Sequence, residues 1–403
     1  MPFALHLLAL AVFAQGTSEF MLSGLGPGIA RGLGVSLPVA GSLTSAFAVG
    51  MVVGAPLMAI LGLRWSRRGA LLAFLLVFLG VHVVGALTGS FAVLLGTRVV
   101  GALASAGFLA VALVAATDMV APEAKGRATS VLLGGVTLAC VAGVPAGAWL
   151  GQLWGWRAAF WAVALLAVPA VVGVLHSVPG GRGPVVKGRP HETVAAGGGV
   201  RGELRALRSP RLLLTLLLGA LVNGATFCSF TYLASVVTRV TGVDDMWVPA
   251  MLALFGLGSF AGVAVGGRIA DTRPVPLLAG GGVALLVGWV LFACTAAHPV
   301  AAVLLVLVQG ALSFAVGSTL ISQALYAAVG APTLGGGFAT AAFNVGAAVG
   351  PWAGGVALGA GLGFRSPLWV SAGLVALALV SAGVGWRAWP ENFRSGSTPV
   401  RVR

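Results

Sequence analysis

Apolar stretches long enough to cross a lipid bilayer recur along nearly the whole chain. A membrane-spanning helix needs about 20 consecutive, mostly apolar residues. By that criterion the sequence predicts twelve helices, at about 3–23, 38–61, 69–88, 91–116, 127–150, 157–177, 210–237, 247–269, 275–295, 299–326, 334–359 and 367–387. Only 8% of the residues are charged, whereas soluble domains carry about 25%. The composition therefore excludes a soluble fold and predicts an all-α, multi-pass membrane protein.

The predicted helices fall into two groups of six. A polar stretch at 178–209, rich in Gly, Pro and Arg, separates them and indicates a linker. Residues of the two groups match at one offset in the chain: Gln15-Gly16 with Asn223-Gly224, Gly50 with Gly258, Gly54 with Gly262, and Gly155-Trp156-Arg157 with Gly363-Phe364-Arg365. The matches indicate a duplicated unit, as in secondary transporters that bind substrate between the halves. We therefore predict two six-helix halves, 1–177 and 210–390, a cytoplasmic linker at 178–209 and a cytoplasmic tail at 391–403.

The distribution of basic residues predicts the orientation. If both termini are cytoplasmic, only Arg31, Arg157, Arg239 and Arg365 fall in loops on the outer side, and nearly all other Lys and Arg residues lie inside. The net charge of +14 then meets anionic membrane lipids, so we expect no nucleic-acid partner. The three cysteines lie in apolar segments, which favours packing over a disulfide or metal site. We expect neither a metal nor a cofactor.

Two charged residues lie deep within predicted helices, Glu19 in the first and Arg98 in the fourth. A charge in the hydrocarbon core costs several kcal/mol, and such residues usually serve a pathway or a partner. A carboxylate whose proton affinity changes with exposure or with a bound ligand can couple protons to transport, and we predict Glu19 and Arg98 as the proton-coupling pair. The alternative is a structural ion pair that holds helices together. Gln15 and Ser23 lie one turn either side of Glu19, and this polar stripe must face protein or water. We predict that Gln15 and Ser23 contact the substrate.

The second half lacks such a pair, because Glu19 corresponds to Phe227 and Arg98 to Val306 at the same offset. Asn223, Phe227 and Phe230 share one face of the seventh helix, and Thr226 lies beside them. We predict that protons bind in the first half, and that this face binds an apolar, partly aromatic substrate. Ordinary core packing is the alternative. Gln309 and Asn344 are further candidates for substrate contacts or interhelical hydrogen bonds. His82 is interpreted as a packing histidine, and a role in proton transfer is the alternative.

Two sequence features predict gating elements. The loops after the second helix of each half carry charges that can hold a gate through ion pairs, or that simply set topology; the candidates are Arg67, Arg68, Arg268, Asp271 and Arg273. In the fifth helix, Gly143 and Gly147 flank Pro145. Glycines at every fourth position allow close helix approach, and proline bends a helix. We expect this segment to contribute to packing and to the seal between the halves.

These motifs resemble those of the major facilitator superfamily over essentially the whole chain, and within it those of the twelve-span drug:proton antiporters. The loop signature stands at Gly267–Arg273, and it is degenerate at 62–69, where Trp65-Ser66 stand near the position of the usual Asp. The fourth-helix arginine motif appears as Arg98-Val-Val-Gly101. The fifth-helix antiporter motif appears as Gly143-Val-Pro145-Ala-Gly147, which favours efflux.

More narrowly, three stretches look like those of the actinobacterial chloramphenicol-resistance exporters: Met1–Leu5 with Gly16–Met21, Thr44–Pro56, and Val308–Phe314. The resemblance implies proton-driven export of a small neutral amphipathic drug, chloramphenicol or another amphenicol, by a monomer in the cell membrane. An exporter of sugars or other small metabolites is the alternative. A membrane enzyme would need a catalytic or metal cluster, which we do not find in the sequence. A sensor that binds without turnover differs only in lacking flux.

Overall fold

The computed structural model describes residues 3–62, 66–121, 124–177, 203–270, 273–328 and 335–388. Within these ranges twelve helical segments are long and apolar enough to cross a membrane. We number them spans 1 to 12: Phe3–Phe20 continuing as Leu22–Leu33, Leu37–Gly62, Arg67–Leu87, Phe91–Asp118, Lys125–Leu138 continuing through Ala139–Gly143 to Val144–Trp154, Trp156–Ser177, Pro210–Arg239, Val248–Ala270, Pro274–Thr295, Pro299–Ala327, Gly335–Gly359 and Ser366–Ala388. The predicted all-α fold with twelve spans is confirmed, and most ends agree within a few residues. The predicted tail and most of the predicted linker lie outside the described residues.

Local sequence explains where several spans begin. The Ser66 side chain accepts a hydrogen bond from Gly69 N at the start of span 3, and Ser209 does the same for span 7. Pro210, Pro274 and Pro299 occupy first-turn positions of spans 7, 9 and 10. Proline fits there because its missing N–H would have no partner within the helix, and because its fixed φ suits the first turn.

Span 1 departs from the prediction. The sequence predicted an end near residue 23, but the helix breaks at Met21 and resumes to Leu33, where Gly34 caps it with a φ of 65°. The Gly26-Pro27-Gly28 sequence led to this error, because in a soluble protein it indicates a turn. In a membrane helix such residues are tolerated, since neighbouring groups can satisfy the freed backbone carbonyls.

Span 5 contains a π-helical turn, Ala139–Gly143, directly before Pro145. Such turns insert an extra residue into a helix and often lie at functional sites. A Cβ on Gly143 would lie 3.0 Å from Thr17 Cβ, and one on Gly147 would lie 3.5 Å from Met21 Cβ. The glycine-rich face of span 5 therefore packs against span 1, next to the break in that helix.

The duplication is visible in the packing. In the first half Gly50 and Gly54 bring span 2 against span 4, and in the second half Gly258 and Gly262 bring span 8 against span 10. The partners are Val99 and Leu103 in the first half, and Leu307 and Ala311 in the second. Leu307 and Ala311 follow Val99 and Leu103 in the chain by the same number of residues as the second pair of glycines follows the first. Both halves therefore use one helix crossing built from equivalent positions.

We call the ends of the bundle the linker end, where span 6 stops and span 7 starts, and the far end. The halves meet along a seam that reaches from mid-bundle to the far end. Phe20 packs against Phe227 with ring centroids 5.6 Å apart, and Ala48 clusters with Phe227 and Ala347. Nearer the far end, a Cβ on Gly355 would lie 3.5 Å from Pro38. The structure is therefore closed at the far end.

Candidate functional site

Arg98 is almost completely buried, with 2% of its surface exposed. Its Nη1 donates a hydrogen bond to Ser18 Oγ at 2.8 Å, and its Nη2 donates to the Ser18 carbonyl oxygen at 2.7 Å. The guanidinium also lies over the Phe47 ring, 4.5 Å from its centroid, an arrangement in which the ring face attracts the cation. The Arg98 guanidinium on span 4 thus binds directly to span 1.

His82 on span 3 extends this contact. Its Nε2 lies 2.7 Å from Ser18 Oγ, and its Nδ1 lies 2.7 Å from the Phe78 carbonyl oxygen. A carbonyl oxygen only accepts, so Nδ1 carries the proton. Phe78 and Phe160 pack against the ring, with centroids 4.1 and 5.9 Å away. The interpretation of His82 as a packing residue missed its place in a hydrogen-bond network.

Glu19 follows Ser18 in the chain and is only half-buried. No nitrogen of Arg98 lies within 4.0 Å of a Glu19 carboxylate oxygen, so these two residues do not form a direct ion pair. The structure brings the two predicted residues to the same place but puts Ser18 between them as the partner of Arg98. The sequence analysis did not single out Ser18 or Phe47, because neither stands out by charge or by the spacing of the polar stripe.

The other members of the predicted stripe do not join this network. Gln15 is buried, and its Nε2 has no hydrogen-bond partner among the described residues. Ser23 is also buried, and it donates to the Phe20 carbonyl oxygen at 2.9 Å. Ser23 lies beyond the break at Met21, so the even spacing along one helix is interrupted between it and Glu19.

The predicted substrate face of span 7 divides into two parts. Phe227 lies at the seam against Phe20, one residue from Glu19. Phe230 instead stacks on Phe255 within the second half, at 4.6 Å. Gln309 is fully buried there and donates to the Leu285 carbonyl oxygen at 3.2 Å. The structure therefore brings Phe227, but not Phe230 or Gln309, next to the charged cluster.

The remaining polar candidates in the second half form hydrogen bonds with the backbone. Asn223 donates to the Phe343 carbonyl oxygen of span 11 at 2.7 Å. Thr226 donates to Val222 at 2.9 Å, and Asn344 donates to Thr340 at 3.0 Å, each within its own helix. These contacts leave less hydrogen-bonding capacity for a polar ligand than the residue types alone suggest.

Of the predicted gating residues, Arg67 forms an ion pair with Asp118 and so ties the start of span 3 to the end of span 4. The sequence analysis missed Asp118 because the pairing depends on how the two spans pack. Arg68 is half-buried beside Arg67. Arg268 and Arg273 are exposed at the loop between spans 8 and 9, and Asp271 lies outside the described residues.

Twelve spans in two halves that close on each other at one end, with a buried charged cluster beside the seam, define a secondary transporter. The chain belongs to the Major Facilitator Superfamily, whose sequence profile matches residues 8–335. It is therefore a multi-pass membrane transporter rather than an enzyme, and the resemblance seen in its motifs is confirmed.

Several named relatives match almost the whole chain. A chloramphenicol resistance protein of Streptomyces lividans is 57% identical over 384 residues, which cover 95% of this chain and 96% of the relative. The inner membrane transport protein YdhP of Escherichia coli is 36% identical, with 96% of each chain covered. A chloramphenicol efflux pump of Mycobacterium tuberculosis is 31% identical, with 93% of this chain and 90% of the relative covered.

Solved structures agree on the fold. A bacterial homolog of the human lysosomal transporter Spinster, in an inward-facing and occupied conformation, superposes with a TM-score of 0.77 at 18% identity and 97% coverage of both chains. The nucleoside transporter NupG, as a mutant, superposes with a TM-score of 0.74 at 12% identity, with 96% of this chain and 100% of that chain covered. At these identities the likeness concerns the fold alone.

Proposed function

We propose that this protein exports chloramphenicol or a related amphenicol across the cell membrane in exchange for protons. The observation that carries the proposal is the 57% identity, over 95% of this chain, to the chloramphenicol resistance protein of Streptomyces lividans. The more distant efflux pump of Mycobacterium tuberculosis supports the same substrate class. We also propose that the transporter works as a monomer.

Export of a sugar or another polar metabolite fits the candidate face less well. Such a ligand needs many hydrogen bonds, whereas Asn223, Thr226 and Asn344 already donate to backbone carbonyl oxygens. Phe227 and its neighbours at the seam offer apolar surface instead. A neutral amphipathic drug requires such a surface with only a few polar groups.

In the proposed cycle Glu19 binds a proton and releases it on the opposite side of the membrane. The support for this is a half-buried carboxylate at mid-bundle that is not held in a direct ion pair with Arg98. Alternating access would expose it first to one side and then to the other as the seam opens and closes. With a neutral drug, each proton carried makes the cycle electrogenic.

We propose that the linker end, with both termini, faces the cytoplasm. Arg67, Arg68, Lys125, Arg268 and Arg273 all lie at this end of the spans, and loops rich in Arg and Lys are retained on the cytoplasmic side. The far end, where the seam is closed, then faces outward. In this proposed orientation, the closed far end makes the conformation one that is closed toward the outside.

The test is chloramphenicol accumulation in energised cells of a drug-sensitive bacterium that expresses the chain. We expect wild-type cells to accumulate less drug than cells with an empty vector, and Glu19→Gln to abolish the difference, because the amide is nearly isosteric but does not titrate. Asp245→Asn removes an exposed carboxylate from the short helical turn Asp245–Trp247 at the far end and is the matched control. Membrane abundance is measured for each variant.

Three results bear on the proposal separately. Equal accumulation with wild-type protein and with empty vector would refute amphenicol export. Normal efflux by Glu19→Gln would refute the proton-coupling role while leaving the substrate assignment intact. Loss of efflux by Asp245→Asn at normal abundance would show that the assay responds to any lost carboxylate.

A further inference from the structure

Ser18 and His82 form a small polar unit around Arg98, which we call the Ser18–His82 clamp. Both hydrogen bonds of the guanidinium go to Ser18, one to its hydroxyl and one to its backbone carbonyl. Ser18 has no exposed surface and His82 has 2%. Since these groups come from spans 1, 3 and 4, the clamp fixes the position of the Arg98 charge relative to Glu19, the next residue on span 1.

Each hydrogen bond of the clamp has a defined donor and a defined acceptor. His82 Nδ1 donates to the Phe78 carbonyl oxygen, so the neutral ring offers Nε2 as an acceptor for the Ser18 hydroxyl proton. The oxygen lone pairs of Ser18 then point to Arg98 Nη1. A doubly protonated ring would donate from both nitrogens and would place a second buried cation beside Arg98, which like-charge repulsion disfavours. His82 therefore orients the Ser18 hydroxyl as an acceptor for Arg98.

The clamp leaves Arg98 incompletely satisfied. Its Nε is buried and has no hydrogen-bond partner among the described residues. A buried donor without a partner costs about 1–3 kcal/mol. A carboxylate is the stronger partner for a guanidinium because it can accept two parallel hydrogen bonds. Without the clamp, the neighbouring Glu19 carboxylate would be the preferred partner of Arg98.

We propose that the Ser18–His82 clamp is a positioning device that holds Arg98 off Glu19 and so keeps the carboxylate free to bind a proton. The inference rests on the proposed function only in giving Glu19 the proton-coupling role. Without the clamp, Arg98 would pair with ionised Glu19, and the carboxylate would bind its proton at a lower pH.

Few other titratable groups surround the clamp. Cys140 on span 5 faces Glu19, while span 2 contributes Phe47 and span 6 contributes Phe160. From the second half, span 7 carries Cys228 and Tyr232 beyond Phe227. Among the described residues, the charged or titratable side chains at the span ends of this half are His6, Arg31, Arg67, Arg68, Asp118, Lys125, Arg127, Arg157 and His176. Glu19 and Arg98 are therefore the two charged groups whose separation the clamp controls, and His82 takes part as a neutral ring.

The test is infrared difference spectroscopy of purified protein across a pH series, reading the C=O stretch of the protonated Glu19 carboxyl group. Glu19→Gln identifies the band. Ser18→Ala removes the clamp hydroxyl, and His82→Asn keeps a donor for the Phe78 carbonyl but does not reach Ser18. For both we expect the half-protonation pH to fall by about one unit or more, the scale on which a neighbouring opposite charge acts.

His82→Gln is the matched variant, because its amide reaches the position of Nε2 and can still accept from Ser18. We expect its half-protonation pH to stay near that of the wild type. If Ser18→Ala does not fold, the comparison of His82→Asn with His82→Gln carries the test. The proposal would be overturned if Glu19 in His82→Asn had the half-protonation pH of the wild type. An equal change of that pH in His82→Asn and His82→Gln would also overturn it.

The spectroscopic test needs no drug, so its failure is separable from failure of the proposed function. A wild-type protein that titrates at Glu19 but moves no chloramphenicol would refute the export proposal alone. In inverted membrane vesicles that do take up chloramphenicol, His82→Asn should shift the pH profile of uptake in the same direction as the band. A profile that keeps its midpoint and only loses amplitude would show that the clamp is merely structural.

Discussion

Gly262→Ala tests how closely spans 8 and 10 approach. An added Cβ would overlap the Ala311 carbonyl oxygen, and it would lie 2.8 Å from the Ala311 carbonyl carbon and 2.9 Å from its Cα. All three atoms belong to the backbone, so no side chain can rotate away. Reaching an ordinary contact of 3.4 Å with the carbonyl carbon requires the helices to separate by at least about 0.6 Å, and the nearer carbonyl oxygen requires more. Overpacking of this kind costs about 1–3 kcal/mol.

The duplicated architecture supplies the matched control. Gly54 is the counterpart of Gly262 in the first half, but its Cβ would meet Ala106 Cβ at 3.1 Å and Leu103 Cα at 3.2 Å, which needs only a few tenths of an ångström. Gly280→Ala, where nothing lies within 4 Å, controls for helix propensity, since alanine is favoured over glycine in a helix by about 1 kcal/mol.

The assay is thermal unfolding of detergent-purified protein, followed by tryptophan fluorescence. We expect Gly262→Ala to unfold at a clearly lower temperature than the wild type, Gly54→Ala to change little, and Gly280→Ala to be neutral or slightly stabilised. Equal unfolding temperatures for Gly262→Ala and Gly54→Ala would refute the argument that contact of the added Cβ with the backbone sets the loss of stability.

Three further changes probe the site and the seam. Arg98→Lys should lose most drug resistance in a growth assay, because a lysine does not reproduce the two fixed hydrogen bonds to Ser18; full resistance would show that only the charge matters. Phe227→Ala should weaken chloramphenicol binding to purified protein by about 1–3 kcal/mol while the pH dependence of binding survives; unchanged affinity would assign Phe227 to packing. Tyr232→Phe removes the hydrogen bond to the Pro351 carbonyl oxygen and should lower the free energy of unfolding by about 1 kcal/mol, measured by denaturant titration; an unchanged value would show that this bond adds no net stability.

The sequence predicted the spans well because their signal is local. Twelve apolar runs were each long enough to cross a bilayer, and most of their limits were visible as polar or turn-forming residues. The exception was Leu22–Leu33, where Gly26-Pro27-Gly28 gives a turn signal that the membrane environment overrides. The repeat placed glycines at matching positions of the two halves, and in the structure these glycines make equivalent crossings.

The site was only partly predictable because its contacts depend on packing between spans. Glu19 and Arg98 stood out as charges in apolar surroundings, but nothing in the spacing of residues indicated that Arg98 would bond to Ser18. His82 was recognised as a packing residue, but its Nε2 finds the Ser18 hydroxyl as a partner only because span 3 lies against span 1. In the same way, Phe227 and Phe230 share a helix face, but the spans packed against span 7 give Phe227 a partner at the seam and Phe230 a partner within the second half.

The chemistry of the seam has a consequence for how fast the transporter can alternate. The contacts named across it are mostly apolar surfaces in touch, as where Phe20 meets Phe227 and where the Tyr232 ring rests on Gly41. The hydrogen bonds of Tyr232 and Arg98 stay within their own halves. Parting these surfaces breaks dispersion contacts and few directional bonds, such as the one from Gln152 Nε2 to the Asp245 carbonyl oxygen, so each half can tilt as a rigid body. The activation barrier for opening should then scale with the apolar area that separates. The alanines and glycines along the seam fix how closely the halves pack, and so they influence the turnover rate.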